Sequence, residues 1–220
     1  MSTDNYTAVR RTLATPVAVS RFAALYGTRK GESLKQMARY SRLVKWHEDC
    51  FHAEGKVTLV SAPGRTEIIG NHTDHNNGRV MAAAVTLDTV AAGTPRSDLN
   101  VTIYSEGFST LSISLDDVSP ISDERGQSAA LVRGVASRKK ALGYAIGGFD
   151  AVVTSNVPGG SGLSSSAAYE VLICAIFDSL YNGCTVDATK RAQIAQYAEN
   201  AFFGKPCGLM ATMPPVEDAI

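Results

Sequence analysis

The chain has no surplus of charge of either sign: 21 Lys+Arg stand against 21 Asp+Glu in 220 residues. No net field is therefore available to gather nucleic acid or an anionic membrane surface, and neither is expected as a partner. Cysteine is scarce and unpaired in pattern. Cys50, Cys174, Cys184 and Cys207 form no CxxC pair and no repeated spacing, which argues against a zinc knuckle and a disulfide framework and fits a reducing compartment. No stretch approaches the ~18 uninterrupted apolar residues of a membrane span. Met1-Ser-Thr-Asp-Asn-Tyr6 has no basic segment leading into an apolar run, so the expected location is the cytoplasm. Repeats, low-complexity tracts and Pro/Ser linkers are missing too. What remains, at 45% hydrophobic and 19% charged residues, is the composition of an ordinary globular protein with a core.

The first fifty residues read as helical and polar, with Leu34, Met37, Ala38, Ser41 and Val44 near helical spacing, ending around Trp46–Phe51. They are assigned to an appended N-terminal helical extension, residues 1–52. From Lys56 the texture turns to β, in short runs: Val57–Ala62, Val80–Val85, Thr89–Ala92, Val101–Tyr104 and Leu111–Leu115. A helix is expected over Ser128–Leu142, with Gly143 at its C-terminal cap, and a strand from Gly148. Beyond Asn156-Val-Pro-Gly-Gly-Ser-Gly-Leu-Ser-Ser-Ser-Ala-Ala168, the apolar residues Ala168, Val171, Leu172, Ala175, Ile176 and Leu180 keep helical spacing. A further helix, Asp187–Phe203, has Asp187 as N-cap. Strands followed by helices in one block predict an α+β fold over residues 53–220.

The strand-to-helix junction carries the chemistry. Helix-start N–H groups lack partners and the macrodipole favours negative charge there, so Pro158-Gly159-Gly160-Ser161-Gly162-Leu163-Ser164-Ser165-Ser166 reads as a phosphate cradle. The glycines let the backbone close on phosphate oxygens, and the hydroxyls add donors and a ligand for Mg²⁺. The Walker lysine and the third glycine of the dinucleotide fingerprint are both missing, which drops those two readings. An ordinary Gly/Ser-rich helix start is the competing account. Two decoys are set aside: Ser137-Arg-Lys-Lys140 lacks the companion motifs of serine acyl-enzymes and reads as a solvated basic helix face, and His72-Thr-Asp-His75 lacks a third well-spaced metal ligand.

Three ordered segments together resemble one family. Pro158–Ala168 is similar to the second signature of the galactokinase, homoserine kinase, mevalonate kinase and phosphomevalonate kinase (GHMP) superfamily. Ala62-Pro-Gly-Arg-Thr-Glu-Ile-Ile-Gly-Asn-His-Thr-Asp-His-Asn76 is similar to the galactokinase sugar-binding signature. Ala198-Glu-Asn-Ala-Phe-Phe-Gly-Lys-Pro-Cys-Gly-Leu-Met210 is similar to the segment that leads to the catalytic aspartate. The resemblance covers nearly everything past residue 50, but only about the first half of a full-length galactokinase.

The resemblance implies an α+β GHMP kinase N-terminal domain without the ferredoxin-like C-terminal domain. It also implies ATP and Mg²⁺ as cofactors, and transfer of the γ-phosphoryl to the C1 hydroxyl of galactose. Arg65 is carried over as the cation beside the reacting groups, a role that suits guanidinium. Glu67, Asn71, His72, Asp74, Cys207 and Gly208 are carried over as the sugar side, where paired donors and acceptors reject a misplaced hydroxyl. Residues 158–166 take the nucleotide, and Ser166 with Glu199 takes the metal. Alone, Glu199 would read as a solvated helix residue.

Two departures accompany the match. Asn71 stands where the family pattern has Glu. Ala211 stands where it has the aspartate that receives the sugar proton, a loss worth about 10²–10⁴ in rate. Resemblance ends abruptly after Met210, with Pro214 and Pro215 following, which is read as an interrupted reading frame and a truncated, catalytically impaired form. An exposed cleft face is then expected to promote self-association. The alternative is a galactose- and ATP-binding sensor without turnover.

Overall fold

The structure, a computed structural model, describes residues 2–71, 73–76 and 78–212 of the chain. It opens with three helices, α1 (Ser2–Leu13), α2 (Pro16–Tyr26) and α3 (Glu32–Phe51). Thr15 caps α2, its hydroxyl accepting the Ala18 N–H at 3.2 Å, and Pro16 takes the first helical position, where a missing N–H is harmless. The buried stripe of α3 is Gln36, Arg39, Tyr40, Leu43, Val44 and His47, spacings of three and four throughout. Leu34, expected on the apolar face, is instead exposed, and Arg39 is buried.

Among the described residues five strands follow: β1 (Thr58–Ile69), β2 (Met81–Pro95), β3 (Asn100–Ser105), β4 (Leu111–Ser114) and β5 (Phe149–Ser155). They form one sheet in the order β1-β2-β5-β3-β4. All neighbours are antiparallel except β3 and β5, which are parallel. The runs Val80–Val85 and Thr89–Ala92, read as separate, belong to the single strand β2. Its outer half pairs with β1 beyond the core and its side chains there are mostly exposed, so the pattern changes where the strand does not. β1 likewise continues through Pro63, which an edge strand tolerates because its outer N–H groups have no ladder to complete.

Alternation of side chains divides the core in two. Val60, Ala62, Ala91, Ala151 and Val153 face α4 (Ser128–Ala141), α5 (Ser165–Tyr181) and α6 (Ala188–Tyr197). Leu59, Val90, Ala92 and Val152 face the other way, against Tyr6, Phe22, Tyr26, Tyr40 and Leu43 of α1–α3. The mixed sheet thus carries helices on both faces and confirms the α+β reading. The N-terminal layer has its own aromatic core, with Phe22 and Tyr40 edge to face at 4.9 Å.

Asp187 caps α6 as expected, accepting the Lys190 N–H at 2.8 Å. One surface reading fails. Lys139, taken as part of a solvated basic face, is fully buried, its ammonium 5.0 Å from the Tyr144 ring centroid. It falls on the same stripe as Val132 and Val135, so the helix period carries it inward. Among the described residues no helix is long and apolar enough to cross a membrane.

Candidate functional site

β5 delivers the chain into the Gly/Ser loop, and α5 leaves it. Gly160 and Gly162 have φ of 71° and 78°, and Ser164, the residue before α5, also lies in the left-handed region at 58°. Its side chain makes no capping hydrogen bond, which leaves the first-turn N–H groups of α5 for a ligand. Ser161 closes the loop on itself, its hydroxyl donating to the Pro158 carbonyl at 2.7 Å. The loop is pinned to β1: the Arg65 N–H donates to the Leu163 carbonyl at 3.1 Å. The strand pairing shifts register between Pro63 and Arg65, and a Cβ on Gly64 would stand 3.0 Å from the Leu163 carbonyl oxygen. Glycine at the bulge lets strand and loop touch.

A cavity of about 920 Å³ opens beneath the loop. Arg65, Asp74, Pro158, Gly160, Ser161, Gly162, Ser164, Ser165, Ser166, Glu199, Cys207 and Gly208 all line it, so three segments far apart in sequence share one wall. The junction between the sugar signature and the 207–210 segment is a hydrogen bond from the Met210 N–H to Asp74 Oδ2 at 2.8 Å. A Cβ on Gly208 would fall 2.0 Å from that oxygen, so a larger residue there has to displace the Asp74 carboxylate. Arg65 is 5% exposed with its Nε unpartnered. Burial pulls its guanidinium pKa down, and the nearby Glu67 and Asp74 charges oppose that.

The remaining expected residues lie at the margins. Gly159 lines a second cavity, and Leu163 contributes its carbonyl rather than its side chain. Glu67 is half-buried on β1 and does not line the first cavity, nor does Asn71, which is exposed. Asn71 has φ of 51°, a conformation asparagine tolerates better than glutamate, which accounts physically for its presence after Gly70. His72 falls outside the described residues. Ala211 lies in the short 3-10 turn Leu209–Thr212.

Glu199 is 2% exposed and sits on a π-helical turn, Ala198–Phe203, that prolongs α6. Such turns redirect side chains that a regular helix would aim elsewhere. Its Oε1 is 3.5 Å from the ammonium of the exposed Lys205. Burial, then Glu199 and Glu170, push the Cys207 thiol well up, the environment of a packing cysteine.

Glu170 was missed in the sequence. It is fully buried on α5, one helical turn beyond Ser166, and neither carboxylate oxygen has a hydrogen-bond partner. Burial first, and the Glu199 charge second, hold its pKa well above the usual carboxylate range. A lone glutamate within the apolar run Ala167–Phe177 was the available signal.

No group of three His, Cys, Asp or Glu able to hold a metal exists among the described residues. Mg²⁺, however, commonly takes one or two protein oxygens plus phosphate and water. Ser166 and Glu199, which both line the first cavity, fit that donor set.

The second cavity, about 350 Å³, shares Ser165 and Ser166 with the first but is walled by Phe108, Leu111, Leu131, Val153, Tyr169 and Phe203. It is the apolar annex of a polar site.

Comparison with known proteins agrees with this geometry. Residues 130–214 match the GHMP kinases N-terminal domain, which defines the class, and residues 45–95 match the galactokinase galactose-binding signature. The chain is 41% identical over 153 residues to the galactokinase of Bacillus subtilis, covering 68% of this chain and 38% of that protein. It superposes on the crystal structure of Lactococcus lactis galactokinase complexed with galactose with a TM-score of 0.72 and 28% identity, over 82% of this chain and 51% of that one. Methanococcus jannaschii mevalonate kinase, 16% identical at a TM-score of 0.59, shares the fold. The chain belongs to the galactokinase family and corresponds to its N-terminal portion, spanning about half or less of the length of these relatives.

Proposed function

We propose that this chain carries the galactose- and ATP-binding half of a galactokinase, an enzyme that moves the γ-phosphoryl of ATP to the C1 hydroxyl of galactose. The observation that carries the reading is the single cavity in which the Gly/Ser loop, Arg65, Asp74 and Glu199 meet. Backbone N–H groups and the hydroxyls of Ser164–Ser166 receive the phosphates, and the apolar annex accepts the base. Arg65, buried with spare donors, stabilises the charge that builds between phosphoryl and sugar oxygen. Asp74 and the backbone around Gly208 hold the sugar, a role the family resemblance also assigns to His72. Ser166 and Glu199 would hold Mg²⁺, which would supply charge neutralisation at the phosphates.

Proton removal is where the chain falls short. Ala211 stands in sequence at the place of the family's aspartate and offers no carboxylate to accept the sugar proton. The chain as written therefore binds and does not turn over at a family rate. Phosphorus NMR of ATP titrated with the protein, galactose and Mg²⁺ tests this. Shifted and broadened phosphate resonances with no galactose 1-phosphate agree with the reading. Unperturbed resonances contradict it, and rapid product formation contradicts the impairment.

A further inference from the structure

The N-terminal helices lie outside both segments matched to the family, apart from the end of α3, yet they reach the base of the site. Asp88 on β2 is the point of contact. Its Oδ1 accepts Arg39 Nη1 at 2.5 Å, and its Oδ2 accepts the Tyr26 hydroxyl at 2.5 Å and the Ser61 hydroxyl at 2.6 Å. Its backbone carbonyl accepts both Arg39 Nη2 at 3.1 Å and the Asn156 N–H at 2.9 Å. Arg39 Nη2 also donates to the Thr154 carbonyl at 3.3 Å.

Two strands are fixed by this one knot. β1 is held through Ser61 and through Pro63, which pairs with Asp88 immediately before the bulge that presents Arg65. β5 is held where it exits into the loop: Thr154 and Asn156 are anchored directly. The Ser155 hydroxyl, which is hydrogen-bonded to Thr89, accepts the Val157 N–H at 3.1 Å. Both attachments of the phosphate loop, the β5 exit and the β1 bulge, thus converge on Asp88 and its partner Arg39, with the carboxylate held from the helices by Tyr26 of α2 and Arg39 of α3.

We infer that Arg39 and Tyr26 are positioning residues for the phosphate loop, acting through Asp88, and that the N-terminal layer sets the spacing between Arg65 and the loop. The inference rests on the loop being the nucleotide site, and a planar fork is needed because one guanidinium serves a carboxylate and two carbonyls. Lysine keeps the charge but cannot make all three contacts.

The test compares wild type, Arg39→Lys, Tyr26→Phe and a control, Leu13→Ala, which empties a buried site of the same layer away from the knot. Titration calorimetry with MgATP and hydrogen exchange of the 156–165 backbone are read on each. Expected are an ATP affinity about tenfold weaker in Arg39→Lys, a smaller loss in Tyr26→Phe, and faster exchange across 156–165 in both, with the control like wild type in the loop whatever its melting temperature. Loop exchange and ATP affinity equal in Arg39→Lys and Leu13→Ala overturn the inference. If wild type binds no ATP while Arg39→Lys still loosens the loop, the nucleotide reading falls and the positioning role stands.

Discussion

Asp88 and Glu170 are both carboxylates sealed from water, one on each side of the sheet, and they are treated in opposite ways. Asp88, against the N-terminal layer, has both oxygens engaged by three side-chain donors. Glu170, one turn of α5 beyond Ser166, has neither oxygen engaged and a second carboxylate, Glu199, among its electrostatic neighbours. A saturated buried charge holds structure together. A bare one costs stability, and that cost is carried here within a turn of the loop serines, where a cation and a nucleotide would relieve it.

The contrast can be broken most severely at Asp88. Asp88→Asn leaves Arg39 buried without its anion and is expected to cost about 3–5 kcal/mol in urea unfolding. The opposite sign is expected at Glu170. Replacing it with methionine, of similar volume and without charge, should stabilise the protein by about 1–2 kcal/mol at pH 7.5 while weakening Mn²⁺ binding followed by electron paramagnetic resonance. The pH dependence follows from linkage. Glu170 has a folded pKa above its free-chain 4.5, so the unfolded chain ionises first. Stability present below about 4.5 is lost as pH rises towards the folded value, and Glu170→Met should flatten that fall.

His47 provides a milder counterpart in the N-terminal layer. Its Nδ1 accepts the Tyr6 hydroxyl at 2.9 Å and its Nε2–H donates to the Asp150 carbonyl at 3.2 Å, an arrangement for the neutral ring. Burial holds its pKa below 6.5, so its contribution is complete above that pH and drains as pH falls through the folded value. A loss of about 1 kcal/mol between pH 7.5 and 5.5, absent in His47→Gln, is expected from urea melts at the two pH values.

Much of the fold was legible because alternation and helical spacing report burial, and α5, α6 and the central strands obey them. Where polar residues enter the core the pattern misleads. Asp88 fell in the break between two expected strands, and Lys139 in a basic run expected at the surface, because burial of a charge is decided by a partner elsewhere in the chain or by a long apolar stem. The site divides the same way. The Gly/Ser loop announces itself through residue type. Asp74 against Met210 and Gly208 is a contact across 136 residues that only the fold creates, and Glu170 is hidden by the apolar helix around it.

Calorimetry on Gly208→Ala tests most directly that these segments form one site with a sugar side and a nucleotide side. A methyl group there would collide with Asp74, so galactose binding should fall at least about tenfold, roughly 1.4 kcal/mol, while MgATP binding stays within twofold of wild type. Equal loss of both ligands, or undiminished galactose binding, would contradict the account.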